Sequence, residues 1–203
     1  MLLAIDSSAG TSVALVDGSF GVVVERTVDD TMRHAEVIGA LIDDVLTESG
    51  ATPAVLTAVA VGVGPGPFTG LRVGLAAAHA FALGAGRPLV GVVSHDAVAL
   101  EHYSGGGWGE LLVTTDARRR ELYWSRYAGL DAQGLPDRVE GPGLARPDDI
   151  GAASRRLDAT RVSAGSIGIL AARMRVSGRP TPVTPLYLRS PDVTLSTPKR
   201  VSR

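Results

Sequence analysis

The apolar positions of the chain change period twice within its first third. Leu2 to Asp6 (LLAID) is a short apolar run ending in a carboxylate. Thr11 to Val16 and Gly21 to Glu25 are apolar or β-branched runs separated by the turn sequence Asp17-Gly18-Ser19, so the three runs predict a strand followed by a hairpin. Over residues 32 to 48 the period lengthens: Val37, Ile38, Leu41, Ile42, Val45 and Leu46 recur at helical spacing, with Glu36, Asp43, Asp44 and Glu48 on other faces. This predicts an amphipathic helix that Gly50 and Pro53 end. Thr57 to Val63 (TAVAVGV) predicts a strand covered on both faces. Phe68 to Leu83 is helical in pattern, Leu89 to Val93 is a further buried strand, and Ser94 is a candidate cap for a helix reaching about Tyr103. The order β-β-β-α-β-α-β-α predicts a mixed sheet flanked by helices.

Gly105-Gly106-Gly107 is the expected boundary between a first unit, 1–103, and a smaller second one, 104–192. In the second unit Leu111 to Asp116 and Glu121 to Tyr127 alternate like two strands joined at Arg118-Arg119-Arg120. Residues 129 to 160, rich in Gly, Pro and Asp, read as loop with one short helix near Asp148 to Leu157. Ser166 to Val176 is expected to be helical, an irregular tail begins at Pro180, and residues 193–203 are expected to be flexible.

Composition narrows the function classes. The chain has 203 residues, 45% of them hydrophobic, enough for a real core. Its 20 basic and 21 acidic residues leave a formal charge of -1, which disfavours tight, unaided binding to a phosphate backbone. The absence of cysteine excludes disulfides, thiolate catalysis and cysteine-ligated zinc. The N-terminus lacks a basic region followed by a long apolar run, and no stretch approaches the ~18 uncharged apolar residues of a membrane span, so a cytoplasmic protein without membrane association is expected. Lysine occurs once, at Lys199, so no mechanism that needs a lysine in the folded body is open.

The stretch VGVGPGPFTGLRVG, residues 61–74, resembles a phosphate-binding turn without meeting its requirements. A P-loop needs lysine and a hydroxyl residue after the last glycine, whereas Gly70 is followed by Leu71 and Arg72. The dinucleotide fingerprint is broken by Pro65 and Pro67. Two readings remain: helix amides near Phe68 meeting an anion, or a tight strand-to-helix turn whose glycines allow close backbone approach, and the second is favoured.

AIDSSAGTSVAL at the N-terminus, GPGPFTGLRVGLAAAHAFA, PLVGVVSHDAVA, TTDARRRELYW and the late PLYLRSPD together resemble the TsaB family, formerly YeaZ, over residues 2 to about 192. The resemblance implies an α/β protein of the actin-like and Hsp70-like ATPase (ribonuclease H-like) fold, with two subdomains of mixed sheets flanked by helices. It also implies a non-catalytic relative of the transferase TsaD, acting in N6-threonylcarbamoyladenosine synthesis at position 37 of tRNAs that read codons starting with A. TsaD is then the obligatory partner, a TsaE-like ATPase joins the assembly, tRNA is met through the complex, and the chain alone forms a homodimer. The rival reading is an enzyme of the same superfamily, an ATPase, sugar-kinase-like phosphotransferase or metallopeptidase.

The catalytic relative carries H-x-x-x-H after the strand matching Leu89 to Val93, one helical turn that lets two imidazoles share a metal. Here His95 is present but Ala99 takes the second place, and His102 lies roughly 10.5 Å further along a continuous helix. Asp6 and Asp96 remain as oxygen donors, too few for a metal site, so neither metal nor cofactor is expected. His95 is read as a solvent-facing residue of a first helical turn. Asp6, with Gly64, Gly66 and Gly70, is read as a vestigial nucleotide loop in which the carboxylate caps the Ser7-Ser8 turn. His34 and His79 lack neighbours at catalytic spacing and are read as structural, and no catalytic residue is assigned. Arg118, Arg119 and Arg120 are read as a solvated turn, with contact to tRNA or a partner carboxylate as the alternative.

The second helix is apolar all round, which no helix facing water can be. Burial under the first helix and contact with a partner would use the same residues, and the family comparison favours the partner, since TsaB proteins build a helical bundle from their first two long helices. The expected interface is therefore His34, Val37, Ile38, Leu41 and Val45 with Leu71, Gly74, Ala78, Phe81 and Ala82.

Overall fold

The computed structural model describes residues 1–189; the expected flexible tail, 193–203, lies outside the described residues. The first sheet has five strands in the order β3-β2-β1-β4-β5, namely Gly21–Val28, Thr11–Asp17, Leu2–Asp6, Ala58–Gly62 and Leu89–Val92. β1 pairs antiparallel with β2 and parallel with β4, and β4 runs parallel to β5. Helices α1 (His34–Ser49) and α2 (Phe68–Ala85) cover one face. Each closes on a glycine in the left-handed conformation, Gly50 and Gly86, whose amides return to the last turn.

The two faces of this sheet differ in residue size. Leu3, Ile5, Val13, Leu15, Val59 and Val61 point to α1 and α2 and share a core with Ile38, Leu41, Val45 and Leu71. Ala4, Ala14, Ala58 and Ala60 point the other way, toward α4 (Ala164–Val176). That helix brings glycine to the contact: a Cβ on Gly168 would lie 3.0 Å from Val16 Cβ and 3.2 Å from Ala4 Cβ. Small residues on both sides let helix and sheet approach closely without a void.

The second sheet has the order β8-β7-β6-β9, with β6 at Leu111–Asp116, β7 at Leu122–Leu130, β8 at Pro136–Ala145 and β9 at Arg156–Asp158. Helix α3 (Ser94–Ser104) packs against β6, β7 and β8 and also against α4, so the two helices fill the space between the sheets. Sequence patterning placed a loop and a short helix over residues 129 to 160, and that expectation is corrected. The region holds β8, β9 and a 3-10 turn at Pro147–Asp149. β8 is an edge strand joined to β7 through an interrupted register and has Pro136 alone fully buried, so it carries no continuous apolar face to be recognised by.

Past α4 the chain returns to the first sheet without regular structure. Gly91 N–H donates to Thr181 O at 3.3 Å, along the open edge of β5, and Leu186 N–H donates to Val63 O at 2.8 Å.

Candidate functional site

The C-terminal ends of β1 and β4, the glycine loop and the start of α3 meet around Asp6, which is 1% exposed. Its Oδ1 accepts from Ser8 N–H at 2.8 Å and Ser8 Oγ at 2.6 Å, and its Oδ2 accepts from Ser94 Oγ at 2.6 Å. Ser94 in turn accepts from Gly64 N–H at 3.2 Å. Burial raises the carboxyl pKa above its ordinary value, and the hydrogen bonds from Ser8 and Ser94 lower it. Both oxygens are thus engaged within the chain, and Gly62 lies so close that any side chain there would overlap Asp6 Oδ2. Ser94 does not cap α3, whose N-cap is Val93; its hydroxyl locks Asp6 instead.

The loop glycines answer to the same turn. A Cβ on Gly66 would lie 2.8 Å from Ser8 Cα, and one on Gly70 would lie 2.7 Å from Ser7 O and 3.0 Å from His34 Nε2. A Cβ on Gly74 would overlap Ser7 Oγ, which donates to Gly70 O at 2.8 Å. Gly64, at φ +95°, seats the side chain of Leu71 against the loop. Gly74 therefore receives the Ser7-Ser8 turn of its own chain, which corrects its assignment to a partner-facing surface. Gly66, Gly70 and Gly74 thus face the Ser7-Ser8 turn rather than open space.

His95 is not solvent-facing, as expected from its place in a first helical turn, but 0% exposed. Its Nδ1 and Nε2 lie 2.9 Å from Ser125 Oγ and Thr115 Oγ1, on β7 and β6. Burial, with a smaller contribution from Arg138, drives its pKa down to about 3, so the ring is neutral. Asp96 accepts from Tyr127 Oη at 2.8 Å and pairs with Arg138 Nε at 3.2 Å. Ala99 is buried in the core, where no second imidazole fits. Among the described residues no group of three His, Cys, Asp or Glu side chains is placed to hold a metal.

The expected interface residues divide by depth. His34, Ile38, Leu41, Val45, Leu71, Gly74, Ala78 and Ala82 are buried within the chain, and Val37 and Phe81 are half-buried beside them. His34 is held by Thr11 Oγ1, 2.7 Å from its Nδ1, and burial lowers its pKa. The strongest helical periodicity thus marks the stripe that covers the sheet. The opposite side of α2 was missed: Ala76, Ala80 and Leu83 are exposed, Leu83 at 85%, with Val73 and Ala77 half-buried at its border. Arg72 and His79 are exposed on this same side, so the expectation of a helix apolar all round is corrected: its outer face is mixed, with small apolar residues between two polar ones. α2 is long and apolar enough by length and composition to cross a membrane, yet a buried stripe fixes it to the sheet. Exposed Gly39 and Ala40 give α1 a small-residue patch on its outer side.

At the β6–β7 tip, Arg118, Arg119 and Arg120 adopt φ of 63°, 55° and 62°. Three successive non-glycine residues in the left-handed region cost roughly 1 kcal/mol each. The tip is held by Arg118 N–H donating to Asp116 Oδ1 at 2.9 Å and by Arg118 Nη2 donating to Thr31 Oγ1 at 2.8 Å.

Residues 21–152 match the family model of TsaD, tRNA N6-adenosine threonylcarbamoyltransferase. The chain is 32% identical over 167 residues to the tRNA threonylcarbamoyladenosine biosynthesis protein TsaB of Escherichia coli K12, covering 81% of this chain and 71% of that one. It is 39% identical over 202 residues to an uncharacterized protein of Mycobacterium tuberculosis, covering 94% and 92%. YeaZ from Pseudomonas aeruginosa has the same fold, with a TM-score of 0.79 at 23% identity over 92% of this chain and 99% of that one. Two mixed α/β layers of the actin-like ATPase kind, an AIDSS turn closed on its own serines and a GPGPFTGLR loop seated on that turn accompany these likenesses, and the chain belongs to the TsaB family.

Proposed function

We propose that the chain serves tRNA threonylcarbamoyladenosine synthesis as a non-catalytic subunit that binds a TsaD-like transferase and activates it. The names of its TsaB relatives support the process. One observation carries the subunit reading: the outer face of α2, where Ala76, Ala80 and Leu83 are exposed between Arg72 and His79, is mainly small and apolar and is uncovered among the described residues. Such a face permits close approach of another helix and is costly to leave in water. The enclosed Asp6 and the place of Ala99 support the absence of catalysis by this chain. In this reading a TsaE-like ATPase and tRNA join through the complex in the cytoplasm, and the same α2 face pairs two copies when TsaD is absent.

Light scattering on the chain mixed with its cognate TsaD tests the interface. Ala76→Glu with Ala80→Glu is expected to weaken the heterodimer by at least tenfold, ~1.4 kcal/mol or more, while leaving the thermal transition of the chain nearly unchanged. An unaltered heterodimer would overturn the assignment. Ala78→Glu would not be informative, because at 0% exposure it breaks the core. Incubation with ATP and magnesium is expected to give no turnover, and turnover abolished by Asp6→Asn would favour an ATPase or phosphotransferase. Omitting this chain alone from a reaction of tRNA, threonine, bicarbonate and ATP with the remaining enzymes is expected to abolish modification.

A further inference from the structure

Arg72 stands one helical turn before Ala76 on the outer side of α2, in a line that continues through Ala80 to Leu83, and all four are exposed. Its guanidinium lies over the Phe68 ring, 4.2 Å from the centroid. That ring packs in turn on Tyr187 at 4.8 Å, and Leu186 N–H, donating to Val63 O at 2.8 Å, ties this stretch to the body of the protein. An arginine stacked on a held ring has a fixed direction and keeps the N–H groups at the edge of its plane for an acceptor. Among the described residues no carboxylate pairs with Arg72, and α2 has no acidic residue in its first turn.

α1 carries the opposite charge on its outer side. β3, β1 and β4 run the same way, and α1 leads from β3 to β4 as α2 leads from β4 to β5, so the two helices share one direction. Gly70 meets the ring of His34, which sets their level. At the ~1.5 Å rise of a helix, Arg72 lies roughly 3 Å beyond that level and Asp43 roughly 14 Å. The exposed Gly39, Ala40 and Ala76 fall between these charges. Asp43 is exposed and, among the described residues, forms no ion pair, whereas Glu36 is engaged by Arg33 and Glu48 by Arg26.

We propose that Arg72 is a specificity residue of the partner-binding face, taking a carboxylate of the transferase while Asp43 takes one of its basic side chains. The inference rests on the pairing with a TsaD-like transferase and names what that partner must present. The planar fork of Arg72 suits the two oxygens of a carboxylate. A partner with only apolar groups at that place would strip water from the stacked guanidinium without replacing it, and one with a cation there would be repelled. Small residues permit close approach but leave neighbouring registers nearly equivalent. Opposite charges at the two ends of the small-residue patch select one of them, since each is separated from the other by roughly the Debye length at physiological salt and is met by its own partner group.

Dissociation constants of the full chain with its cognate TsaD, measured at about 50 and about 500 mM salt, test the assignment. Arg72→Gln is expected to weaken pairing about tenfold at the lower salt and less than about threefold at the higher, with the thermal transition of the chain unchanged. Arg72→Lys, which keeps the charge without the fork, and Phe68→Leu, which removes the ring beneath it, are expected to lose about threefold each, and Asp43→Asn a similar amount. Arg175→Gln, an exposed charge on α4 across the sheet, is expected to change pairing less than about twofold. An Arg72→Gln loss no greater than that of Arg175→Gln overturns the proposal, and a loss equal at both salts overturns the carboxylate contact. Light scattering on the chain alone supplies the remaining outcome: weakened self-association with an unaltered heterodimer assigns Arg72 to a second copy and overturns its assignment to the transferase. If Ala76→Glu with Ala80→Glu breaks the heterodimer while Arg72→Gln does not, the charge contact falls and the α2 face stands. If neither affects it, both fall.

Discussion

Asp6 accepts three hydrogen bonds from two serines while almost wholly withdrawn from water, so its replacement reports directly on what it holds. Asp6→Ala strands the donors of Ser8 and Ser94 and is expected to cost about 3 kcal/mol in urea unfolding, and Asp6→Asn, which still accepts from Ser8, distinctly less. His95 sets the acid limit. The unfolded imidazole takes a proton near pH 6.5, whereas the folded one refuses it until about pH 3. Its contribution is complete above pH 6.5 and drains away as pH falls through that window, with a slope of up to about 1.4 kcal/mol per unit. His34, also lowered, acts in the same direction; Asp6, whose pKa is raised, acts in the opposite one, losing its contribution as pH rises from the ordinary carboxylate value to its raised one. Unfolding free energies measured across this range are expected to fall toward acid, and His95→Gln to flatten the fall. The cap formed by Asp6 was readable from the adjacent serines, but the burial of His95 was not, because Thr115 and Ser125 lie on strands of the other sheet.

At the scale of elements, spacing between residues decided which features were legible. The strands of the first sheet, α1, α2 and α4 announce themselves through unbroken or periodic apolar runs, whereas β8 is held through its backbone to β7 and leaves no such trace. Which side of a helix faces which neighbour was also hidden. Gly74 and Ala78 look alike in sequence, yet one seats the Ser7 side chain and the other packs in the core beneath α1 and α2. Gly74→Ala is expected to cost more than about 2 kcal/mol, since the new methyl meets the Ser7 hydroxyl at the end of a rigid turn. Ser7→Ala removes that hydroxyl and its bond to Gly70 O, leaving the methyl 3.0 Å from Ser7 Cβ, so the double variant is expected to be more stable than the sum of the two single losses. A thermodynamic cycle from chemical denaturation measures this coupling, and strict additivity would show that the turn moves away instead.

For the molecule as a whole, the triple glycine at 105–107 separates the strands of the two sheets along the chain but does not separate their cores. Leu2, Ala4, Ala14, Val16, Ala58 and Ala60 share one apolar cluster with Leu111, Val113 and Tyr127, and with Ile167 and Leu170 of α4. A fragment of residues 1–103 carries all five strands of the first sheet but lacks the helix that shields one of its faces, and it is expected to show no cooperative thermal transition when expressed alone. Adding residues 164–187 as a separate peptide is expected to restore part of that transition. The crossing of Thr181 and Leu186 over β5 and Val63 extends the same dependence to the sheet's edge. During synthesis, then, the first strands made wait for segments emitted more than a hundred residues later. Until those segments follow, the alanine face of the sheet and the border of β5 have nothing of their own chain to cover them.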